Sequence, residues 1–171
     1  GPDSFPFKVN DGTLDSNTAT VSLTVTVVND APVCLDVTLT TDEDVTGQTA
    51  PSCTDVENDL LTYAVLSQPT SGTASVTGST LEYIPASNFN GADSFTYKAN
   101  DGAADSNAAT VSVTVNTVND LPLAVADAYA TAEDTQLIVA VPGVLGNDSD
   151  VEGGLLAIKG TDPAHGPLAL N

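Results

Sequence analysis

A stretch of 30 residues occurs twice in this chain, and this repetition constrains the fold more than any other feature. Residues 1–30 (GPDSFPFKVNDGTLDSNTATVSLTVTVVND) and 91–120 (GADSFTYKANDGAADSNAATVSVTVNTVND) align without a gap, at an offset of 91 − 1 = 90 residues. Twenty of the 30 aligned positions are identical. Because a unit of about 90 residues can bury its own core, the period predicts a tandem array of domains rather than a stacked solenoid.

The repeat also divides the chain. Residues 31–120 make up one complete repeat, residues 1–30 are the last part of a preceding repeat, and residues 121–171 are the first part of a following one. Glu133-Asp134 matches Glu43-Asp44 at the same offset, which supports the third assignment.

Strict alternation of apolar and polar residues predicts β-strands throughout. In residues 19–27 every second residue is Ala, Val or Leu, and the residues between them are Ser and Thr, a pattern typical of a half-buried strand. Within the complete repeat the same reasoning predicts seven short strands, at residues 33–40, 46–54, 60–67, 73–77, 80–84, 94–99 and 108–117. No stretch has a helical period. We therefore expect an all-β chain of tandem seven-stranded Greek-key β-sandwich domains of cadherin or immunoglobulin type, one complete and two partial.

Neither partial repeat can bury its apolar residues by itself. One explanation is that the chain is an excerpt of a long array, in which neighbouring repeats complete them. The alternative is that the end fragments of different copies complete one another by strand addition, which would build a head-to-tail filament.

The charge of the chain excludes some partners. There are 23 acidic residues against three lysines and no arginine, so the formal net charge is −20. Such a surface repels phosphate backbones, and no run of 18 apolar residues exists, so we expect neither nucleic-acid binding nor membrane insertion. Two explanations of the acidity remain open, a solvated surface or carboxylates clustered to bind Ca²⁺.

Several short motifs recur at places where a repeat would begin, turn or end. They are Val28-Asn29-Asp30-Ala31-Pro32, Val118-Asn119-Asp120-Leu121-Pro122, Asp42-Glu43-Asp44, Asp55-Val56-Glu57-Asn58-Asp59, Asn88 to Phe95 and Asn100-Asp101-Gly102. Together they resemble the bacterial cadherin-like repeats, tandem immunoglobulin-like domains of large surface adhesins and other secreted proteins. The resemblance implies an extracellular or cell-surface protein, with a β-sandwich fold and Ca²⁺ held between successive domains.

The resemblance also implies candidate Ca²⁺ ligands at two joints. At the joint near Asp30 they are Asn29, Asp30, Asp55, Glu57 and Asp101. At the joint near Asp120 they are Glu43, Asp93, Asn119, Asp120, Asp150 and Glu152. The outer linker positions that carry Asp or Asn in cadherins are Val27, Ala31, Thr117 and Leu121 here, so each joint would hold one weaker ion or none. The alternative is that these Asn and Asp side chains only cap turns.

Cys34 and Cys53 are the only cysteines, and both lie in the complete repeat. The first two strands could bring them together, and an even pair in a secreted protein indicates a disulfide. Two buried thiols are the alternative.

No constellation of catalytic residues is visible, so we do not expect an enzyme. The single histidine, His165, falls in a predicted turn. We expect a structural stalk or adhesive array whose partners are neighbouring repeats, other copies of the chain or a surface ligand. A ligand-binding module, or a spacer within a secreted enzyme, remain alternatives.

Overall fold

The structure is a computed structural model, and it describes residues 1–161. The turn predicted around His165 lies outside the described residues.

The first 30 residues form a β-hairpin. Its strands are β1 (Pro2–Phe7) and β2 (Ala19–Thr24), which pair antiparallel with Phe5 opposite Val21. The repeated segment forms the same hairpin from β10 (Gly91–Asn100) and β11 (Ala109–Asn116), with Phe95 opposite Val111. The offset between the two registers is again 90 residues, so the sequence identity extends to the strand pairing.

The complete repeat places seven further strands between these hairpins. They are β3 (Val33–Leu35), β4 (Val37–Asp42), β5 (Gly47–Thr49), β6 (Ser52–Thr54), β7 (Thr62–Ser67), β8 (Gly72–Thr77) and β9 (Thr80–Pro85). One sheet has the order β4-β11-β10-β7, a second has the order β5-β9-β8, and β3 pairs with β6. All these pairs are antiparallel except β4 and β11, which run parallel.

Two of the seven strands predicted from the sequence are each divided into two segments. The predicted strand 33–40 breaks at Asp36, whose Oδ1 accepts a hydrogen bond of 2.7 Å from the backbone N–H of Thr110 on β11. The chain therefore leaves β6 after β3 and pairs with β11 along β4. The predicted strand 46–54 breaks at Ala50-Pro51, because proline has no N–H to donate to a ladder.

The core of the repeat lies between the sheets and uses the inward residues of the alternating strands. Leu81 and Tyr83 of β9 meet Phe95 and Tyr97 of β10, and all four are buried. The rings of Tyr83 and Phe95 stack with their centroids 6.4 Å apart. The described chain is thus all-β with packed sheets, as expected for a β-sandwich.

The hairpin of β1 and β2 differs from its counterpart in what covers it. Phe5 and Phe7 are 51% and 44% exposed, whereas the matching Phe95 and Tyr97 are 1% and 0% exposed. The apolar face that forms a core in the complete repeat is therefore open in the first hairpin.

Residues 121–161 contain little regular structure. Leu123 bridges to Ser149, and a 3₁₀ helix covers Gly143–Leu145. Across residues 1–161, no helix has the length and apolar character needed to cross a membrane.

Candidate functional site: the two joints between repeats

The first joint is the linker of residues 29–32 together with the loops that contact it. Asp101 organises one of these loops: its Oδ1 accepts hydrogen bonds from the N–H groups of Ala103 (2.7 Å) and Ala104 (2.6 Å). Its Oδ2 accepts a bond of 2.9 Å from Nδ2 of Asn29 in the linker. The bonds from Ala104 and then from Asn29 lower the pKa of Asp101, because they favour the ionised carboxylate. Asp101 therefore ties the linker to the complete repeat.

The second loop at this joint carries two more of the expected residues. Oε2 of Glu57 accepts a hydrogen bond of 3.2 Å from the backbone N–H of Asp30. Oδ1 of Asp55 accepts one of 3.0 Å from the N–H of Asp59, while its Oδ2 is buried and has no hydrogen-bond partner within residues 1–161. A buried carboxylate oxygen without a partner is unfavourable, which makes it a place where a cation would gain binding energy.

The second joint, around residues 119–122, repeats these contacts. The N–H of Asp120 donates to Oε2 of Glu152 at 3.2 Å, the same distance as between Asp30 and Glu57. Nδ2 of Asn119 donates to the carbonyl of Asp120 at 2.7 Å, as Nδ2 of Asn29 donates to that of Asp30 at 3.2 Å. The two joints therefore share these two hydrogen bonds.

The second joint also includes a buried carboxylate from the end of β4. Glu43 is only 3% exposed, and its Oε1 accepts a bond of 2.5 Å from the N–H of Val118. Its own N–H donates to the carbonyl of Asn116 at 2.9 Å, which continues the pairing of β4 with β11 beyond the strand ends. Because β4 runs parallel to β11, both strands end at this joint, which places Glu43 there; its role as a metal ligand stays a prediction.

Asp120 lies among like charges. Burial raises the pKa of its carboxyl, and the neighbouring carboxylates raise it further, in decreasing order of effect Glu152, Asp44, Glu43 and Asp150. Its Oδ2 is buried and, in the described part of the chain, accepts no hydrogen bond. The pKa shift and the unsatisfied oxygen both indicate excess negative charge at this joint.

Sequence reasoning missed Asp44, whose charge raises the pKa of Asp120 more than that of its neighbour Glu43 does. Asp44 has a φ of 58°, and its Oδ1 accepts a bond of 3.0 Å from the N–H of Asn88. The repetition of Glu43-Asp44 as Glu133-Asp134 could have marked both residues of the pair.

The structure brings Asp93 into a different set of contacts. Its oxygens accept hydrogen bonds from the N–H groups of Thr70 (3.0 Å) and Ser71 (2.8 Å) and from the hydroxyl of Tyr83 (3.1 Å). These bonds, with one from the N–H of Ser94, outweigh burial and lower its pKa, while burial and the Asp93 carboxylate raise the pKa of Tyr83 to about 12. Asp93 already fills its acceptor sites within the repeat, and its assignment as a metal ligand stays a prediction.

The oxygen donors at the joints suit Ca²⁺, which prefers carboxylate and carbonyl ligands. Across residues 1–161, however, no three His, Cys, Asp or Glu side chains are already arranged to hold a metal ion. Binding at a joint would therefore require side chains to turn toward the ion.

The predicted disulfide between Cys34 and Cys53 is confirmed. The two residues lie directly opposite each other on β3 and β6, with Cα atoms 4.1 Å apart, a spacing typical of a pair without mutual backbone hydrogen bonds. The backbone of Cys34 bonds instead to the side chain of Asn107: Oδ1 accepts from its N–H and Nδ2 donates to its carbonyl, both at 2.9 Å. A covalent bond and an asparagine side chain therefore both hold β3.

The packed sheets and the first strand divided between two partners define an immunoglobulin-like β-sandwich domain. The family described as bacterial Ig domain matches residues 29–114, which is 114 − 29 + 1 = 86 of the 171 residues. The chain belongs to this family. The family and the disulfide together indicate an extracellular domain.

Comparison with solved structures finds parts of two larger enzymes. The endo-fucoidan hydrolase MfFcnA4 from glycoside hydrolase family 107 is 25% identical over 69% of this chain and 19% of its own, with a TM-score of 0.42. The endo-fucoidan hydrolase MfFcnA9 is 19% identical over 67% of this chain and 22% of its own, with a TM-score of 0.38. This chain thus matches about a fifth of each hydrolase, and likenesses this weak support no functional inference. No curated protein gives a significant sequence match.

Proposed function

We propose that this chain is a segment of a non-enzymatic extracellular array, in which immunoglobulin-like repeats are strung end to end as a stalk or adhesive spacer. We further propose that a divalent cation, Ca²⁺, stiffens the joints. The neighbouring repeats of the same chain are then the main partners, and the array stands at the cell surface or in the secreted space.

One observation carries the proposal, the recurrence of the same contact at both joints. In each, the linker Asp donates its N–H to the Glu of an Asp-Val-Glu loop, at 3.2 Å. Because this contact recurs at both linkers, whose Asp residues have the same 90-residue offset as the hairpin register, we infer that it joins one unit to the next. This favours an array of connected domains over a set of domains that do not contact one another.

The case for a cation rests on the second joint. Glu43 is buried, and Oδ2 of Asp120 accepts no hydrogen bond in the described part of the chain. Burial and then four neighbouring carboxylates raise the pKa of Asp120. A divalent ion among these groups would neutralise the repulsion and join oxygens from both sides of the linker. Glu43, Asp120, Asp150 and Glu152, with Asp44, are the residues that would hold it.

The test is a thermal melt of the whole chain in EDTA and in millimolar Ca²⁺ at constant ionic strength, with Mg²⁺ as a second ion. We expect Ca²⁺ to raise the unfolding midpoint, because the ion binds the folded joint and not the unfolded chain. The double variant Asp120→Asn/Glu152→Gln should lose most of this rise. Asp59→Asn, which removes one exposed charge away from the second joint, should retain it.

Equal melts of the unmodified chain in EDTA and Ca²⁺ would contradict the cation proposal. The acidic residues would then be a solvated surface, and the linker hydrogen bonds and Pro32 and Pro122 would set the geometry of the joints. A rise that Mg²⁺ reproduces fully would show general screening of charge instead of a specific site.

The open face of the first hairpin leaves a second arrangement to test, docking between copies of the chain. Because Phe5 and Phe7 are exposed, burial of this apolar face would be favourable. A neighbouring repeat or another copy of the chain could bury it. Light scattering separates the two: growth in mass with concentration supports strand addition between copies, and a constant monomer mass contradicts it.

A ligand-binding role has weaker support. Such a module would present aromatic side chains on its loops, and Phe89 instead packs against the core. Tyr129 is 44% exposed, but its hydroxyl contacts Asp127 and the carbonyl of Gly143, both at 3.2 Å.

A further inference from the structure

The disulfide joins the strand by which the chain enters the complete repeat to a strand deeper within it. We propose that the Cys34–Cys53 bond is a mechanical latch: it passes tension from the linker to β6 and so protects the pairing of β4 with β11. The inference rests on the proposed spacer function, because only an array held between two attachments is pulled from its ends.

The path of the tension follows from the order of the strands. Tension enters the repeat through residues 29–32, immediately before β3, and leaves through residues 117–120, immediately after β11. Between these points, β4 pairs parallel with β11 from Val37 opposite Val111 to Asp42 opposite Asn116. The start of β4 and the end of β11 therefore lie at opposite ends of the pair.

Pulling at these two ends slides β4 along β11. The hydrogen bonds of a parallel ladder are evenly spaced, so a sliding force loads all of them together instead of one after another. If tension reached β4 directly, this ladder would have to break for the repeat to open.

The disulfide changes which strand the tension reaches first. Cys34 precedes β4 and is bonded to Cys53, which is 19 residues later, so β4 and β5 both lie in the closed loop. Tension that arrives at Cys34 passes through the bond to β6. β4 then cannot slide from β11 unless β6 moves as well.

β6 is anchored to the core through a buried tyrosine. The hydroxyl of Tyr97 accepts a hydrogen bond of 3.0 Å from the N–H of Ser52 and donates one of 2.7 Å to the carbonyl of Leu35. Tyr97 belongs to β10 and is completely buried. The latch therefore connects the linker to the centre of the sandwich.

Without the bond, only weaker contacts hold β3. It pairs with β6 over three residues, Asn107 contributes two hydrogen bonds to Cys34, and the hydroxyl of Tyr97 donates one to the carbonyl of Leu35. Once these contacts yield, the whole tension acts on β4.

The test is to pull the complete chain by handles at its two ends, at constant force and in EDTA. The oxidised chain is compared with the same chain in dithiothreitol, which converts Cys34 and Cys53 to thiols as it becomes oxidised itself. When the repeat unfolds, the oxidised chain should lengthen by about 60 Å less, because the 19-residue loop stays closed. Its lifetime under force should be at least about tenfold longer, because more hydrogen bonds must break together.

The double variant Cys34→Ala/Cys53→Ala is the control: it should match the reduced chain and not respond to dithiothreitol. If this variant does not fold, reduction of the unmodified chain still gives the comparison. Equal lifetimes of the oxidised and reduced chains would overturn the latch, and so would equal lengthening. Because the measurement is made in EDTA, its result is independent of whether Ca²⁺ stiffens the joints.

Discussion

At the scale of single residues, the fold shifts the pKa values of individual carboxyl groups in opposite directions. Asp11, Asp93 and Asp101 accept hydrogen bonds from N–H groups in turns or strands, and their pKa values are lowered. Asp120 lies among carboxylates and its pKa is raised. Residue type alone does not separate the groups, because the difference comes from the neighbours that the fold supplies.

The first prediction concerns Asp11 in the turn between β1 and β2. Hydrogen bonds from the N–H of Leu14 and from the hydroxyl and N–H of Thr13 lower its pKa from 3.8 to about 2. Because the folded-state value is the lower one, ionised Asp11 stabilises the turn above about pH 3.8, and this contribution is lost as the pH falls toward 2. Carboxyl ¹³C NMR titration should place its midpoint near 2, and a midpoint at the ordinary value would contradict the turn geometry.

The second prediction concerns Asp120 without Ca²⁺. Its pKa is raised in the folded state, so protonation favours folding: the contribution of Asp120 to stability is fully present below its ordinary value of 3.8 and is lost as the pH rises through its folded-state pKa. We expect Asp120→Asn to raise the unfolding midpoint in EDTA at about pH 7, with a smaller gain at about pH 4, close to the ordinary carboxyl value of 3.8. Thermal melts at both pH values measure this.

Asp59→Asn is the matched control for that experiment, because it removes the same charge from an exposed site. If it raises the midpoint as much as Asp120→Asn does, the effect comes from the net charge of −20 and not from the joint.

At the scale of elements, the first strand of the complete repeat is where pattern and structure differ most. Alternation predicts a continuous strand at 33–40, but β3 pairs with β6 and β4 pairs with β11. The break at Asp36 depends on a hydrogen bond to Thr110, which is 74 residues away. A local pattern carries no information about such a partner.

The third prediction concerns Asn107, which holds β3 through the backbone of Cys34. Asn107→Ala leaves the N–H and carbonyl of Cys34 without these partners, and we expect a loss of about 1–3 kcal/mol in the free energy of unfolding. Urea denaturation of the intact chain measures it.

The repeat supplies a matched control at Asn17, which aligns with Asn107. Its Nδ2 donates only a long bond of 3.4 Å to the carbonyl of Thr18, so Asn17→Ala should have little effect. Equal losses of unfolding free energy in Asn107→Ala and Asn17→Ala would mean that the asparagine stabilises the turn in which it lies and not β3.

At the scale of the whole molecule, the two hairpins show what the strands of residues 31–90 contribute to a core. Their strands pair in the same register, yet only β10 and β11 are covered by further sheets. The matching aromatic residues of β1 are about half exposed as a result. Local sequence therefore forms the hairpin, and the rest of a repeat makes it part of a core.

The fourth prediction follows from that comparison. A second copy of residues 31–90, fused directly before Gly1, should complete the first hairpin as a sandwich, because Asn90 precedes Gly91 in the same way. Hydrogen exchange of the β1 and β2 amides should slow toward that of β10 and β11.

The control for the fusion carries Leu39→Asp and Leu81→Asp in the added copy, since both leucines are buried in the complete repeat. It should leave exchange in β1 and β2 fast. If both fusions behave alike, the hairpin is not the last part of a repeat of this kind.

The sequence by itself determined the period, the all-β pattern and the cysteine pair, because identity at a fixed offset and alternation along a strand can both be read directly from the order of residues. Only the tertiary structure decided where strand 33–40 divides, that Asp93 is bonded within the repeat, and that the charge of Asp44 acts on Asp120. Each of these depends on residues far apart in the chain, and the energy of a carboxylate is set by the donors and charges that folding places around it.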